Sequence, residues 1–342
     1  MQYSTFAAID IGSYDVILEI FEISKKQGIR SVDKICHRME LGKDTYTLGK
    51  IRPEMEEELC RVLADFVRIM EGYRVDDYRA TASSAISEAS NSLYVLGKIH
   101  QLTGFSVTVL SNSEQRFLSY KALAAMEDNF NKIIEKGTAI LDLDGGSFQI
   151  SLFDKDALVT TQNIRMGSLR IRERLAGIQS ETEHYEEMVE ELIWNEVSSF
   201  KKMYLKDRKI ENIMLIGDVF TDSVYQNIEE KTTKIISREN FNTWYEKIIR
   251  QSPMELAVKL GIPLENASLM YPSAVIYKCL IDMMGAEHIW IPGVHMTRGI
   301  AYEYAEQMKL LKGGHNFEND ILMAAKNIGK RYAVNRPHVQ NL

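Results

Sequence analysis

Cysteine is scarce in this chain: three residues, Cys36, Cys60 and Cys279, among 342. They are odd in number, scattered and never spaced as C-x-x-C. That argues against a disulfide framework and against a structural zinc site, and it suits a reducing compartment. Long apolar runs are missing too. None approaches the roughly 20 residues that a membrane span needs, so no membrane partner is expected. The opening, MQYSTFAAID, carries no basic segment ahead of an apolar one, so no signal peptide is expected and the cytoplasm is the expected location. Positive charge is in deficit, with a formal net charge of −7. A general nucleic-acid binder carries a broad basic surface, so no nucleic acid is expected as a partner. A phosphorylated ligand is not excluded, because an acidic protein can hold a locally positive site. Two basic stretches qualify, RMGSLRIRERL (165–175) and KKMYLKDRK (201–209), and both also read as solvated helix faces or helix ends.

What is present supports globular cores. Apolar residues make up 45% of the chain and charged residues 26%. The length fits two domains. Residues 6–23 alternate apolar and polar around a turn at 12–15 and predict a β-hairpin, with a third strand near 30–41. Residues 52–73 predict a helix with Pro53 in its first turn and Met55, Leu59, Val62, Leu63, Phe66, Val67 and Met70 on one face. A short element at 77–83, a helix over about 84–102, a strand at 105–111 and a helix opening at NSEQRFLSYKALAAM follow. From 138 the order restarts: a hairpin, a third strand in ALVTTQNIRM, a helix around 182–204 and a strand in NIMLIG. A further strand, EHIWIPG, comes late. The repeat is a whole domain about 130 residues long. It predicts an α/β fold of two units with helices on both faces of each sheet and a cleft between them.

The two hairpins carry the chemistry. AIDIGSYDVI places Asp10, Gly12 and Ser13, and LDLDGGSFQI places Asp142 and Ser147, in the same strand–turn–strand setting. Asp-Gly between alternating apolar residues is a strong hairpin signal by itself. A tight Gly/Ser turn also gathers backbone N–H groups into a concavity that suits phosphate, while an Asp at the strand end can hold Mg²⁺ directly or through water. Glu114, in the first turn of a helix after an apolar strand, has two readings. It is a carboxylate complementing the helix start after a Ser113 or Asn112 cap, or it is a general base in the cleft.

The order AAIDIGSYD, RATASSAISEASN, VLSNSEQRFLSYKAL, ILDLDGGSFQI, RMGSLRIRERL and YPSAVIYKCL…TRGIAYEYA resembles the exopolyphosphatase and guanosine pentaphosphate phosphatase (Ppx/GppA) family, over residues 5 to about 310. The resemblance implies two ribonuclease-H-like domains of the actin-like ATPase superfamily, at 1–125 and 126–310. Residues 311–342 form a helical segment that reads either as the opening of an HD-like domain or as a helix packing back on the first domain. The resemblance implies a Mg²⁺-dependent phosphohydrolase that releases terminal phosphate from inorganic polyphosphate or a guanosine pentaphosphate-type nucleotide. Its roles fall on Asp10, Gly12, Ser13, Asp142, Gly145, Gly146 and Ser147 for phosphate and metal, and on Glu114 for activating water. A homodimer is the expected assembly.

The sequence also departs from the family pattern. Tyr14 and Asp15 replace Asn-Ser in the first loop, and Asp144 replaces a glycine in the second. Gln149 and Gln115 stand where Glu is usual, Ser87 where a phosphate-gripping Arg is usual, and Phe220 at a usual Gly in IGDVFTD. Losing a guanidinium removes a bidentate clamp on phosphate. Asp144 puts a negative group into a nest suited to anions, and it reads as a metal ligand supplying the charge that Gln149 lacks. The expectations are therefore an active hydrolase with a rearranged site or a weak or inactive member that binds polyphosphate or alarmone nucleotides. A kinase or ATPase of the same superfamily ranks below both.

Overall fold

The computed structural model describes residues 4–126, 130–176, 185–205, 208–227, 234–311 and 315–331. The first half runs β1 (Ser4–Ile11), β2 (Asp15–Ser24), β3 (Gly28–Arg38), α1 (Leu41–Leu48), α2 (Pro53–Gly72), β4 (Asp77–Ala82), α3 (Ser84–Ser87), α4 (Ser92–Thr103), β5 (Val107–Val109) and α5 (Asn112–Met126). Then come α6 (Phe130–Ile134), β6 (Thr138–Leu143), β7 (Phe148–Asp154), β8 (Ala157–Ile164), α7 (Ser168–Leu175) and α8 (Tyr185–Phe200), which ends in a π-helical turn at Lys201–Leu205. The rest is β9 (Asn212–Ile216), α9 (Val219–Asn227), β10 (Ile235–Ser237), α10 (Arg238–Ile249), α11 (Pro253–Leu260), α12 (Leu264–Met284), β11 (His288–Trp290), α13 (Met296–Gln307) and α14 (Phe317–Arg331).

Two mixed sheets result, ordered β3-β2-β1-β4-β5 and β10-β11-β9-β6-β7-β8. Each opens with an antiparallel triplet, β1–β3 or β6–β8, and adds a parallel strand, β4 on β1 or β9 on β6. The doubled strand order expected from the sequence is thus the doubled sheet observed. Period-2 alternation decides which residues each face buries. Ala7, Ile9 and Ile11 pack with Leu59, Leu63 and Phe66 of α2, whereas Phe6 and Ala8 pack with Leu118 of α5 and with Ile300, Ala301 and Tyr304 of α13. Asp10 shares the Phe6–Ala8 side, at the strand's end. In β6, Ala139, Leu141 and Leu143 face the larger core and Ile140 faces Tyr120 and Leu123 of α5. Asp142 shares the Ile140 side. Helix α5 therefore lies between the sheets, under both aspartates.

Several elements differ from expectation for physical reasons. The helix expected over 84–102 is broken, because the Asn91 amide holds the backbone N–H and C=O of Ile51 (3.0 and 2.8 Å) and turns the chain between α3 and α4. Helix α1 and the edge strand β10 had no expectation attached, whereas α7 lies in the stretch expected as a helix face or helix end. The expected division put 296–307 in the second unit, but α13 packs on β1, β2 and β3, with the Phe6 and Tyr304 rings stacked at 4.1 Å. Helix α14 packs against β8 of the second sheet. His315 anchors it: Nε2 lies 2.7 Å from Asp320 Oδ2, and Oδ1 of the same buried carboxylate accepts from Leu158 N–H at 3.4 Å.

A candidate phosphate site between the two hairpin loops

The ends of β1 and β6 open into one cavity of about 380 Å³. Asp10 and Gly12 enter from the first hairpin, and Asp142, Asp144, Gly145 and Ser147 from the second, so the two loops face one space. The wall between them is the Gln115–Ser119 face of α5. Residues four apart share a helix face, and Ser119 Oγ donates to Asp142 Oδ2 at 2.6 Å. Opposite lies the β9–α9 segment with Gly217, Asp218 and Asp222. Gly217 has φ +102°, and a Cβ there would stand 2.6 Å from Asp142 Oδ1, so the backbone can pass that carboxylate only as glycine. Edge strand β3 adds Lys34, Cys36 and Arg38, whose alternation puts all three on the cavity side.

The cavity is acidic: Asp10, Asp15, Asp142, Asp144, Asp218 and Asp222 face it against Lys34 and Arg38, with His295 Nε2 3.5 Å from Asp222. Burial makes these charges costly. It pushes the Asp10 carboxyl well above the usual range, with Asp15, Asp144 and Asp142 adding repulsion. Burial raises Asp142 to about 6 against the Ser119 hydrogen bond, and Asp144 to about 6 against the Gly145 N–H. It raises Asp218 to about 7, although the Thr221 N–H and the Tyr277 hydroxyl favour its charged form. Five buried polar atoms among the described residues of the wall make no hydrogen bond to the protein: Asp10 Oδ1, Ser83 Oγ, Gln115 Nε2, Gln149 Oε1 and Asp218 Oδ2. Buried polar groups are nearly always paired, so such a concentration marks a place for a ligand, an ion or water.

Not every expected site residue reaches this cavity. Glu114 does not. Helix α5 turns about 100° per residue, so with Gln115 inside, Glu114 faces out. Its carboxylate accepts from Ser111 N–H (2.8 Å) and Ser111 Oγ (2.7 Å), while Ser111 Oγ accepts from Glu114 N–H (3.3 Å). This capping box, built on Ser111 rather than Ser113 or Asn112, holds the Glu114 carboxyl below its ordinary value. Ser13 and Gly146 are also turned away. Ser13 is fully buried, and its Oγ shares hydrogen bonds with Tyr46 Oη (2.7 Å) and Ser84 Oγ (3.3 Å). A Cβ on Gly146 would meet Tyr46 Oη at 2.1 Å and Ser84 Oγ at 2.5 Å. Both residues serve contact between the loops.

The residues expected to hold metal, Asp10, Asp142 and Asp144, do line this cavity. Among the described residues, no three His, Cys, Asp or Glu side chains converge closely enough to hold one ion directly. Asp10, Asp142 and Asp144 share the cavity without forming a three-carboxylate cage. The donor set still fits Mg²⁺, which keeps several waters and takes one or two carboxylates plus ligand phosphates. Asp10 Oδ1, buried and unpaired, is suited to such a contact.

The basic stretch at 165–175 is only partly a solvated face, with Arg165 and Arg174 exposed and Arg170 and Arg172 largely buried, and none of its arginines lines the cavity. Arg165 and Arg170 converge on Glu88 (2.5 and 3.0 Å), Arg172 pairs with Glu40 (2.7 Å), and Arg170 lies 3.8 Å over the Tyr46 ring. Arg165, Arg170 and Arg172 tie the second unit to the first. In 201–209, Arg208 pairs with Asp154 at 3.2 Å, and residues 206–207 lie outside the described residues. Ser87 is not in the cavity wall, and Phe220 is buried against Phe241 and Tyr277.

Comparison with known proteins agrees with this architecture. A family profile described as the Ppx/GppA phosphatase family matches residues 19–308. The bifunctional 3-dehydroquinate synthase/phosphatase of Fusobacterium nucleatum is 21% identical over 310 residues, 83% of this chain and 44% of that protein. Exopolyphosphatase 1 of Mycobacterium leprae is 25% identical over 144 residues, 42% of this chain and 41% of that protein. The chain thus spans less than half the length of these curated relatives. Among solved structures, an exopolyphosphatase from Cytophaga hutchinsonii superposes with a TM-score of 0.79 at 17% identity, covering 89% of this chain and 98% of that one. The Ppx/GppA family member of Aquifex aeolicus gives 0.71 at 17%, covering 90% and 99%. These likenesses establish the fold.

Proposed function

The chain belongs to the Ppx/GppA phosphatase family, and on that premise we propose that it is a Mg²⁺-dependent hydrolase of phosphoanhydrides. Its substrate is a phosphate chain ending in a free phosphoryl group, as in inorganic polyphosphate or a guanosine pentaphosphate-type nucleotide. The observation that carries the reading is the meeting of both hairpin loops at one cavity whose wall holds unpaired, buried polar atoms. Phosphoryl transfer asks a protein for positioning, charge neutralisation and an oriented nucleophile. Backbone N–H groups of the Gly12 and Gly145 loops would orient phosphate oxygens, with Lys34 and Arg38 of β3 adding positive charge. Bound Mg²⁺, held through Asp10 and Asp142, would supply the remaining neutralisation in so acidic a cavity.

The water-activating role passes from Glu114 to a carboxylate of the cavity wall. Asp218 is the candidate, because a base titrating near 7 combines a large charged fraction at neutral pH with useful basicity. Thr221 N–H (3.1 Å) and Tyr277 Oη (3.2 Å) fix its Oδ1. A second reading, binding without turnover, draws on Gln115 and Gln149, two neutral amides in the wall where the family pattern has carboxylates. Phosphate release from polyphosphate, guanosine tetra- and pentaphosphate and simple nucleotides, measured with Mg²⁺ and with EDTA, separates the two. Steady Mg²⁺-dependent release from any of them supports hydrolysis, and saturable binding with no release supports the second reading.

A further inference from the structure

We infer that Asp144 makes anion binding in the second loop conditional on a divalent cation, because its own carboxylate occupies donors that an incoming phosphate would use. The inference rests on the reading of the cavity as a phosphate site. Asp144 follows the last residue of β6, and its N–H bonds to Ser147 O at 2.9 Å, which closes the loop and folds the side chain back over it. Asp144 Oδ1 accepts from Gly145 N–H at 2.6 Å, and Oδ2 accepts from Ser13 Oγ at 3.5 Å. One carboxylate thus reaches donors of both hairpins.

Backbone N–H groups in a glycine-rich turn favour whatever anion reaches them first. Here that anion is covalently attached, so it binds at no translational cost. A phosphate that takes the Gly145 N–H must displace Asp144 and then sit beside it. Two negative groups repel strongly where solvent is excluded. A divalent cation removes both obstacles, since it attracts the displaced carboxylate and neutralises the pair. Glycine, the residue usual at this position in the family pattern, would leave the donor open without any cation. A free phosphate polymer should therefore be a poor ligand and its Mg²⁺ complex a good one.

Calorimetric titration of the full chain with inorganic tripolyphosphate, in EDTA and in Mg²⁺, tests this for wild type, Asp144→Gly and Asp144→Asn. Circular dichroism and melting curves confirm the fold of each. Wild type is expected to bind only with Mg²⁺. In EDTA, Asp144→Gly is expected to bind about tenfold more tightly than wild type or better, the scale of one charge-assisted hydrogen bond set free. Asp144→Asn should fall between them, since its amide oxygen still accepts from Gly145 while the charge is gone. Two results would overturn the inference and leave the phosphate site standing: wild type binding equally well in EDTA and Mg²⁺, or variants no better than wild type in EDTA while wild type binds in Mg²⁺. No binding by any of the three in either condition would overturn the phosphate site and this inference together.

Discussion

Replacing Gly146 by alanine should pull the two hairpin loops apart, and removing one hydroxyl elsewhere should partly restore them. The added Cβ would lie 2.1 Å from Tyr46 Oη, 2.5 Å from Ser84 Oγ and 2.9 Å from Tyr46 Cζ. The Gly146 backbone has little freedom to retreat, because its carbonyl accepts from Arg170 Nε at 2.9 Å. Tyr46 must move instead, losing bonds of 2.7 Å to Ser13 and 2.8 Å to Ser84 and disturbing its stack under Arg170. Overpacking costs about 1–3 kcal/mol, and the displaced hydroxyl adds about 1 kcal/mol of lost hydrogen bonding. Gly146→Ala is therefore expected to cost about 2–4 kcal/mol. Tyr46→Phe alone should cost about 1 kcal/mol, since it loses the hydroxyl's bonds and keeps the ring. In the double variant the shortest clash is gone and the bonds are lost only once. The cycle should show a favourable coupling of about 1 kcal/mol or more. Urea unfolding midpoints of the four proteins measure it. Additive effects, or a Gly146→Ala cost below about 0.5 kcal/mol, within the range of an ordinary surface change, would refute the loop contact.

Glu114→Ala is expected to cost about 1 kcal/mol through loss of the Ser111 capping box and to leave phosphate release within a few-fold of wild type. A loss near the ~10² expected of a general base would return Glu114 to the reaction. The raised carboxyls of Asp142, Asp144 (about 6 each) and Asp218 (about 7) mean that the folded chain takes up protons at higher pH than the unfolded one. Their charged forms therefore destabilise the fold above pH 7, and that penalty is relieved as pH falls from about 8 towards 5. Melting midpoints in EDTA should show this contribution, reduced in Asp218→Asn and flattened by Mg²⁺; the same slope in all three conditions would contradict it. Asp320→Ala removes the partner of His315 and should loosen α14, so trypsin should cut faster at Lys326 and Lys330 than in wild type. Equal cleavage rates would show that the apolar contacts of Phe317 suffice.

The strands and their terminal aspartates were legible because period-2 alternation fixes a face and a glycine turn fixes where it ends. Asp10 and Asp142 therefore fell into one cavity, as the doubled hairpins implied. The orientation of α5 was not legible from spacing around a carboxylate. Glu114 and Gln115 are neighbours in sequence but about 100° apart on the helix, and only the packing of Leu118 on the first sheet and Tyr120 on the second sets which one looks inward. Extending the apolar pattern from Leu118 would have put Gln115 and Ser119 on the cleft side. The cations of 165–175 misled for another reason. The partners of Arg170 and Arg172 lie 82 and 132 residues away, at Glu88 and Glu40, beyond the reach of any local pattern. Asp218 follows a glycine in IGDVFTD with no local pattern to set it apart from any acid at a helix start. It gained no weight, since its burial is a product of the fold.

Helix α13 sets the order in which this chain can mature. Phe6, Ala8, Phe21 and Ile23 belong to strands that leave the ribosome well ahead of most of their cover, because Ile300, Ala301 and Tyr304 are translated some 280 residues later. At the 5–20 residues per second typical of synthesis, that apolar face waits at least ~14 seconds, and up to about a minute, before its lid exists. During that interval the sheet of β1–β5 presents a face that Leu118 of α5 covers only in part, the kind of apolar surface that chaperones hold and that neighbouring nascent chains can capture. The first sheet is thus begun before the second and completed only after the strands of the second, and a single cut between the units leaves the first without α13. An excised version needs α13 rejoined after α5 by a linker.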